Sequence, residues 1–164
     1  HEPEEVMNVL REYHEEIGVL IDKYGGTLEH FAGDGIMVFF NDPLPQDNHV
    51  ELAVGMCVDI QQRVAVIRPE WHKKEYKLDV GIGLSAGFAT LGIIGFKGRL
   101  DYGAIGNVTN LAARLSGEAK GGQIVIDKKT YSKIDQLIEV EPLGALTLKG
   151  FSRPISVFNI LSLN

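Results

Sequence analysis

Three short stretches of this 164-residue chain carry side chains whose type and setting suit chemistry. In Phe31-Ala32-Gly33-Asp34-Gly35 an Asp-Gly pair lies between two apolar runs, which is the signal of a hairpin turn. A carboxylate held on a tight turn between rigid strands is well placed to ligate Mg²⁺ or Mn²⁺, although a turn aspartate also bonds its own backbone, and Asp-Gly alone does not separate the two. In the stretch from Gly103 to Arg114, Asn110 and Arg114 lie four residues apart and so share one helix face. There an amide and a guanidinium can reach a sugar oxygen and a phosphate together; the same pair also reads as an interior amide and a solvated cation. The glycines before them lack the Lys-Ser/Thr pair of a P-loop. Lys149, between Leu148 and Gly150, can meet a terminal phosphate as a point charge or stand solvated in a turn.

The elements that must position these residues follow from the periodicity. Pro3, Glu4 and Glu5 begin a helix in the way proline and acids favour, Val6, Leu10, Tyr13, Ile17, Leu20 and Tyr24 recur at helical spacing, and Gly25-Gly26 stops it. Two strands around Asp34, TLEHF and IMVFF, form a hairpin. A second helix runs from Val50 to Ile67 with Pro69 just beyond its end, and Cys57 on its apolar face reads as an inert core thiol. Leu78, Val80, Ile82, Leu84 and Ala86 alternate as a half-buried strand, and the run from Gly87 to Gly95 is expected to complete a second hairpin with it. A helix over 107–119 turns Val108, Leu111, Ala112, Leu115 and Ala119 inward. The strand Gln123–Ile126, a short helix from Lys128, a strand near Ile138–Val140, the element LTLKGF and a closing strand ISVFNIL end the chain. Paired hairpins among helices point to an α+β domain with a mixed, mostly antiparallel sheet.

Composition bounds the alternatives. One domain fits 164 residues with 45% hydrophobic content. A net charge of −6 argues against a sequence-independent nucleic-acid binder, yet nine of the 22 acids and only two of the 16 bases fall in residues 1–34, so the acidity is local. A single cysteine makes neither an internal disulfide nor a cysteine-based zinc site, and no apolar run reaches the roughly 20 residues of a membrane span, so a cytoplasmic setting is expected.

Taken together, GDGIMVFF, VGIGLSAGFATLGIIG, RLDYGAIGNVTNLAARL and LKGF stand in the order and spacing of class III nucleotide cyclase catalytic domains, and the chain resembles their bacterial adenylyl/guanylyl branch from about residue 3 to 161. The resemblance implies a ferredoxin-like (βαββαβ-type) fold and conversion of a nucleoside triphosphate to its 3′,5′-cyclic monophosphate and pyrophosphate. It implies two Mg²⁺ or Mn²⁺ ions held by two aspartates, of which Asp34 is one. By the same likeness Asn110 orients the ribose, Arg114 stabilises charge on the reacting phosphate, and Lys149 meets the terminal phosphates. Members of the family are head-to-tail dimers with the site between subunits, and sensory or membrane segments are fused upstream of the domain. The likeness therefore implies a homodimer, with ATP or GTP as the small-molecule partner.

The sequence departs from that family in three places. The family's first metal aspartate lies on a strand before the opening helix, so that strand and ligand are expected upstream of His1. Base choice rests in the family on positions matched here by His30 and Gly103, neither of which reads clearly as adenine or guanine selection; ATP is favoured because it is the commoner substrate of the bacterial branch. Asn107 stands where an aspartate is common. These departures keep open a second reading, a catalytically degenerate domain that senses a nucleotide or binds a partner protein.

Overall fold

A computed structural model of the chain describes residues 3–32, 35–75, 79–96 and 99–164. Helix α1, Pro3–Tyr24, buries Val9, Tyr13, Ile17 and Ile21, one residue per turn along a single stripe. Gly25 ends it at φ 73°, a left-handed conformation that favours glycine. Helix α2, His49–Lys73, lies antiparallel to α1 and buries Val54, Cys57, Ile60, Val64, Ile67 and Trp71. Polar ties staple the pair: Arg63 donates two hydrogen bonds to Glu16 at 2.7 and 2.8 Å, and Trp71 Nε1 donates to Glu12 at 3.4 Å.

The sequence expectation ended α2 before Pro69, and the helix runs through it to Lys73. Proline removes one backbone donor in a helix interior, which costs roughly 3 kcal/mol in isolation. Trp71, 1% exposed and two residues beyond, supplies the burial that offsets this by keeping the last turn on the core.

At the far end of the helix pair the Tyr24 hydroxyl and Lys23 Nζ both donate to Asp59. The hydrogen bond to Asp59 pushes the Tyr24 phenol up to about 12, and the same bond, with help from Lys23, holds the Asp59 carboxyl below its ordinary value. Removing the hydroxyl with Tyr24→Phe is expected to lower stability at pH 7 by about 1 kcal/mol in urea unfolding. The sign follows from the two shifts. The tyrosine's share is complete below its ordinary value of 10 and is lost as pH rises through about 12. The aspartate's share is present above its ordinary value of 3.8 and is lost as pH falls through the lower folded value. A wild-type and variant difference that stays constant from pH 4 to 12 would contradict this coupling.

Among the described residues the strands form three hydrogen-bonded sets. Strands β1, Thr27–Ala32, and β2, Gly35–Phe39, make the expected antiparallel hairpin, with Ala32 opposite Gly35 at its tip. Strands β3, Ile82–Leu84, β6, Ile124–Asp127, β7, Ile138–Leu146, and β8, Ile155–Leu163, form a sheet in the order β3-β6-β8-β7, parallel only at β3-β6. The expected hairpin between the run at 78–86 and the run at 87–95 is not made. Instead β4, Thr90–Phe96, pairs antiparallel with β5, Arg99–Ile105, from Thr90 opposite Ile105 to Phe96 opposite Arg99. The chain bends at Gly87 after β3, and the second apolar run pairs with the strand downstream of it. Helices α3, Asn107–Glu118, and α4, Lys128–Ile134, complete the α+β architecture.

The main core lies between α1, α2 and the sheet, and Cys57 sits in it at 2% exposure, where burial pushes its thiol up to about 12 and leaves it unreactive. A smaller cluster of Leu115, Val125, Leu148 and Val157 joins α3 to the other sheet face. Among the described residues no helix is long and apolar enough to cross a membrane.

Candidate active site

Helix α3 owes its position to glycine. An added Cβ on Gly83 would lie 2.3 Å from the Ala112 carbonyl oxygen and from the Ser116 amide nitrogen, and one on Gly81 2.7 Å from the Ala119 carbonyl. Backbone therefore rests directly on backbone, and Ser116 Oγ donates to the Gly81 carbonyl at 3.2 Å. At the start of the helix Thr109 Oγ1 donates to the Gly106 carbonyl at 2.7 Å, with the Asn110 amide donating to the same oxygen at 3.2 Å. Sequence reasoning passed over Gly81 and Gly83, although glycine at alternate positions of a strand is the signal of close backbone approach.

Set down this way, α3 presents three different sides. Leu115, 0% exposed, enters the smaller core. Val108, Thr109, Ala112, Ala113 and Ser116 line a cavity of about 710 Å³. Asn110 and Arg114 are exposed to solvent. This division explains why Val108 and Ala112, expected to face inward, are only half-buried: they face the cavity rather than the core.

Lys149 reaches the same neighbourhood through Leu148, which is 3% exposed and packs in the cluster with Leu115 and Leu111. The Phe151 amide closes the turn on the Leu148 carbonyl at 3.1 Å, and Gly150 at φ 91° allows it. The element LTLKGF is thus the end of β7 plus a turn that leaves Lys149 exposed. Neither Arg114 nor Lys149 makes an ion pair with a described residue, so both cations are available to an anionic ligand.

Gly103 lies on β5 opposite Gly92, and β5 passes through Gly106 straight into α3. The strand that carries His30, β1, contacts β5. The His30 side chain and Asp34 lie outside the described residues. Their flanks do not: Ala32 and Gly35 pair across the hairpin tip, and Gly35 lines the cavity.

The cavity itself has an unusual wall. Every residue from Gly35 to Asn41 and from Asp79 to Ala89 borders it, so side chains of both parities do, which requires β2 and β3 to present backbone edges rather than faces. Its ends can be told apart. Gly26 lies under Val38 and Phe40 beside Ile21, Tyr24 meets Asp59 on α2, and Gln61 Nε2 donates to the Val80 carbonyl at 2.7 Å, which sets Phe40 and Val80 at one end. Gly35 and the loop from Ser85 to Ala89 therefore stand at the other. Among the described residues no cluster of three or more His, Cys, Asp or Glu side chains forms a metal site.

Residues 1–162 match the family model of the adenylate and guanylate cyclase catalytic domain. The chain belongs to that family. The cyclase domain is 26% identical to adenylate cyclase 1 of Rhizobium meliloti (strain 1021) over 97% of its own length and 24% of the relative's, and 27% identical to an adenylate cyclase of Anabaena cylindrica over 97% and 33%. It thus spans about a quarter to a third of these curated relatives. Among solved structures, the adenylyl cyclase CyaB from P. aeruginosa superposes with a TM-score of 0.92 at 34% identity, covering 99% of this chain and 85% of that one. The guanylyl cyclase Cya2 superposes at 0.93 and 30%, covering 100% and 84%. The expected fold is therefore the one observed. One neighbour is an adenylyl and the other a guanylyl cyclase at nearly equal similarity, so the shape of the cyclase domain does not select a base.

Proposed function

We propose that this domain forms a 3′,5′-cyclic monophosphate and pyrophosphate from a purine nucleoside triphosphate, ATP in preference to GTP, at a site shared by two copies of the chain. The observation that carries the shared site is the division of α3. At 3.6 residues per turn, Asn110 and Arg114 point roughly 150° away from the cavity-lining side that Gly35 faces. Gly35, the neighbour of Asp34 in sequence, borders the cavity side, so the hairpin and the Asn110-Arg114 face are turned different ways, which supports a site that two copies complete together. A head-to-tail pair, each copy lending its hairpin to the other's α3, satisfies this and gives two equivalent sites.

In the reaction the ribose 3′-hydroxyl loses its proton, its oxygen bonds to the α-phosphorus, and the bond from that phosphorus to the bridging oxygen breaks as pyrophosphate leaves. Asn110, with an amide donor and acceptor, holds the ribose so that the attacking oxygen is in line. Arg114 offers a planar fork to phosphate oxygens as their charge grows. Lys149 on its exposed turn holds the tail of the triphosphate, which keeps the leaving group still. His30 on β1 and Gly103 on β5, the strand before α3, border the base.

For the metal ions the fit is partial. Asp34, between the β1 and β2 residues in sequence, is one carboxylate that would hold Mg²⁺ or Mn²⁺, and the described residues add no cluster to complete the set. The cavity offers a place for the second ligand: an extended segment seated between β2 and β3 would bond both edges, join the three strand sets, and present a side chain beside Asp34. The expected upstream strand with the first metal aspartate suits it. When bound, the ions neutralise phosphate charge and lower the pKa of the attacking hydroxyl.

The test is product formation by the polypeptide extended upstream of His1. With Mg²⁺ or Mn²⁺ and ATP, cAMP is expected in excess of the cGMP made from GTP, with activity lost on chelation and restored by either metal. A dimeric protein that makes neither product with either metal would leave the degenerate, nucleotide-sensing reading, which His30 and Gly103 favour.

A further inference from the structure

The parallel ladder between β3 and β6 ends at Leu84 opposite Ile126, and β6 passes into α4 directly after Asp127. Backbone leaving β3 must therefore find its hydrogen bonds elsewhere. The Ala86 amide finds one on a side chain, donating to Thr130 Oγ1 of α4 at 3.0 Å. Thr130 is 0% exposed, and its hydroxyl donates in turn to the Asp127 carboxylate, itself only 6% exposed. Ordinary capping does not account for the pair, since Asp127 makes no side-chain hydrogen bond to the amides of α4. The carboxylate instead sets the direction of the hydroxyl: the proton is committed to Asp127, and a lone pair is turned to Ala86.

The segment held in this way meets the start of α3. An added Cβ on Gly87 would lie 3.5 Å from Val108 Cβ, and one on Gly106 would lie 3.4 Å from the Phe88 carbonyl oxygen and from Ala89 Cα. Gly106 is the cap of α3, and its carbonyl accepts the Asn110 amide, together with Thr109 Oγ1. A buried hydroxyl on α4 is thus joined, through the loop from Ser85 to Ala89, to the hydrogen bond that opens the Asn110 helix. The link also crosses the sheet. Ile134 of α4 packs in the main core and Leu115 of α3 in the smaller one, so the loop passes from one layer to the other over the carboxyl ends of β3 and β6.

We infer that Thr130 is a positioning residue for the reaction: from outside the site it holds the 85–89 loop, which fixes the first turn of α3 and so the approach of Asn110 to the ribose. The inference rests on the role proposed above for Asn110. A threonine that only fills the core differs from valine in stability alone, whereas one that positions α3 also sets turnover and the order of that first turn.

The experiment compares the polypeptide extended upstream of His1 with its Thr130→Val and Thr130→Ser variants, at a temperature where circular dichroism shows all three folded. Two quantities are read: steady-state kinetics of cyclic nucleotide formation, and amide hydrogen exchange at Asn110, with Ile17 in the middle of α1 as the reference. In Thr130→Val, kcat is expected to fall about tenfold with KM within about twofold of the parent, and Asn110 exchange to quicken at least about tenfold against Ile17. Thr130→Ser keeps both hydrogen bonds and is expected to restore both quantities. A parent that forms no cyclic nucleotide refutes the role of Asn110 and takes this inference with it. With an active parent, three results overturn the inference alone: an unchanged kcat in Thr130→Val, Asn110 exchange that rises no more than that of Ile17, or a Thr130→Ser variant as impaired as Thr130→Val.

Discussion

Asp34→Ala and Arg114→Ala are each expected to lower kcat by at least about a hundredfold, the usual cost of removing a charge-stabilising group from a transition state, and an equimolar mixture of the two is expected to regain about a quarter of the parent activity. The recovery follows from the division of α3 and from nothing else. If the hairpin carboxylate of one copy serves the Asn110-Arg114 pair of the other, a mixed dimer holds one site with both defects and one with neither. Random pairing makes half the dimers mixed, and half the sites in those are intact. A site assembled within one chain would regain nothing on mixing. The measurement is cyclic nucleotide formation at several mixing ratios, with mixed dimers shown directly by differently tagged chains. Mixed dimers without recovered activity would refute the assignment. Arg114 is exposed, so its substitution is not expected to disturb folding, and circular dichroism of both variants checks that the fold is kept.

How far the sequence reached depended on the range of the interaction concerned. α1, the β1–β2 hairpin, α3 and β8 were legible because each is specified by neighbours within a few residues, through periodic apolar positions or an Asp-Gly turn. Asn110, Arg114 and Lys149 were singled out as a set by family likeness alone; Asn110 and Arg114 fall on one helix and Lys149 on the turn that packs against it through Leu148. What local pattern did not carry was pairing at a distance. The run after Gly87 is as apolar as its neighbour, yet its partner is Arg99–Ile105, where an arginine, an aspartate and a glycine interrupt the apolar pattern. Pro69 looked like a terminator because the burial of Trp71 against α1 is a tertiary fact.

Gly83→Ala is the substitution expected to reach furthest from its own position. A methyl group there would sit 2.3 Å from two backbone atoms of α3 and 2.8 Å from a third, the Leu115 carbonyl carbon, and backbone has no rotamer with which to yield. Either the helix lifts from β3 or the strand bends, and both moves drag on Leu115, which is 0% exposed and joins α3 to Leu148. Overpacking of this kind costs roughly 3 kcal/mol, about 10 °C in Tm for a domain of this size. Gly117 provides the contrast on the same helix. An added Cβ there meets nothing within 4 Å, so Gly117→Ala is expected to stabilise by about 0.5–1 kcal/mol through the lower entropy of its unfolded chain and better helix propensity. The difference between the two variants separates steric displacement from the mere loss of a glycine. Catalysis should register the displacement as well. Asn110 and Arg114 ride on α3, and Lys149 is coupled to it through Leu148 and Leu115, so under the proposed roles a helix moved by a fraction of an ångström misaligns the ribose and phosphate contacts at once. At a temperature where Gly83→Ala remains folded, its kcat is therefore expected to fall by more than tenfold while its KM changes less. A Gly83→Ala variant with parent stability and parent kcat would show that the close seat of α3 on β3 does not position the site.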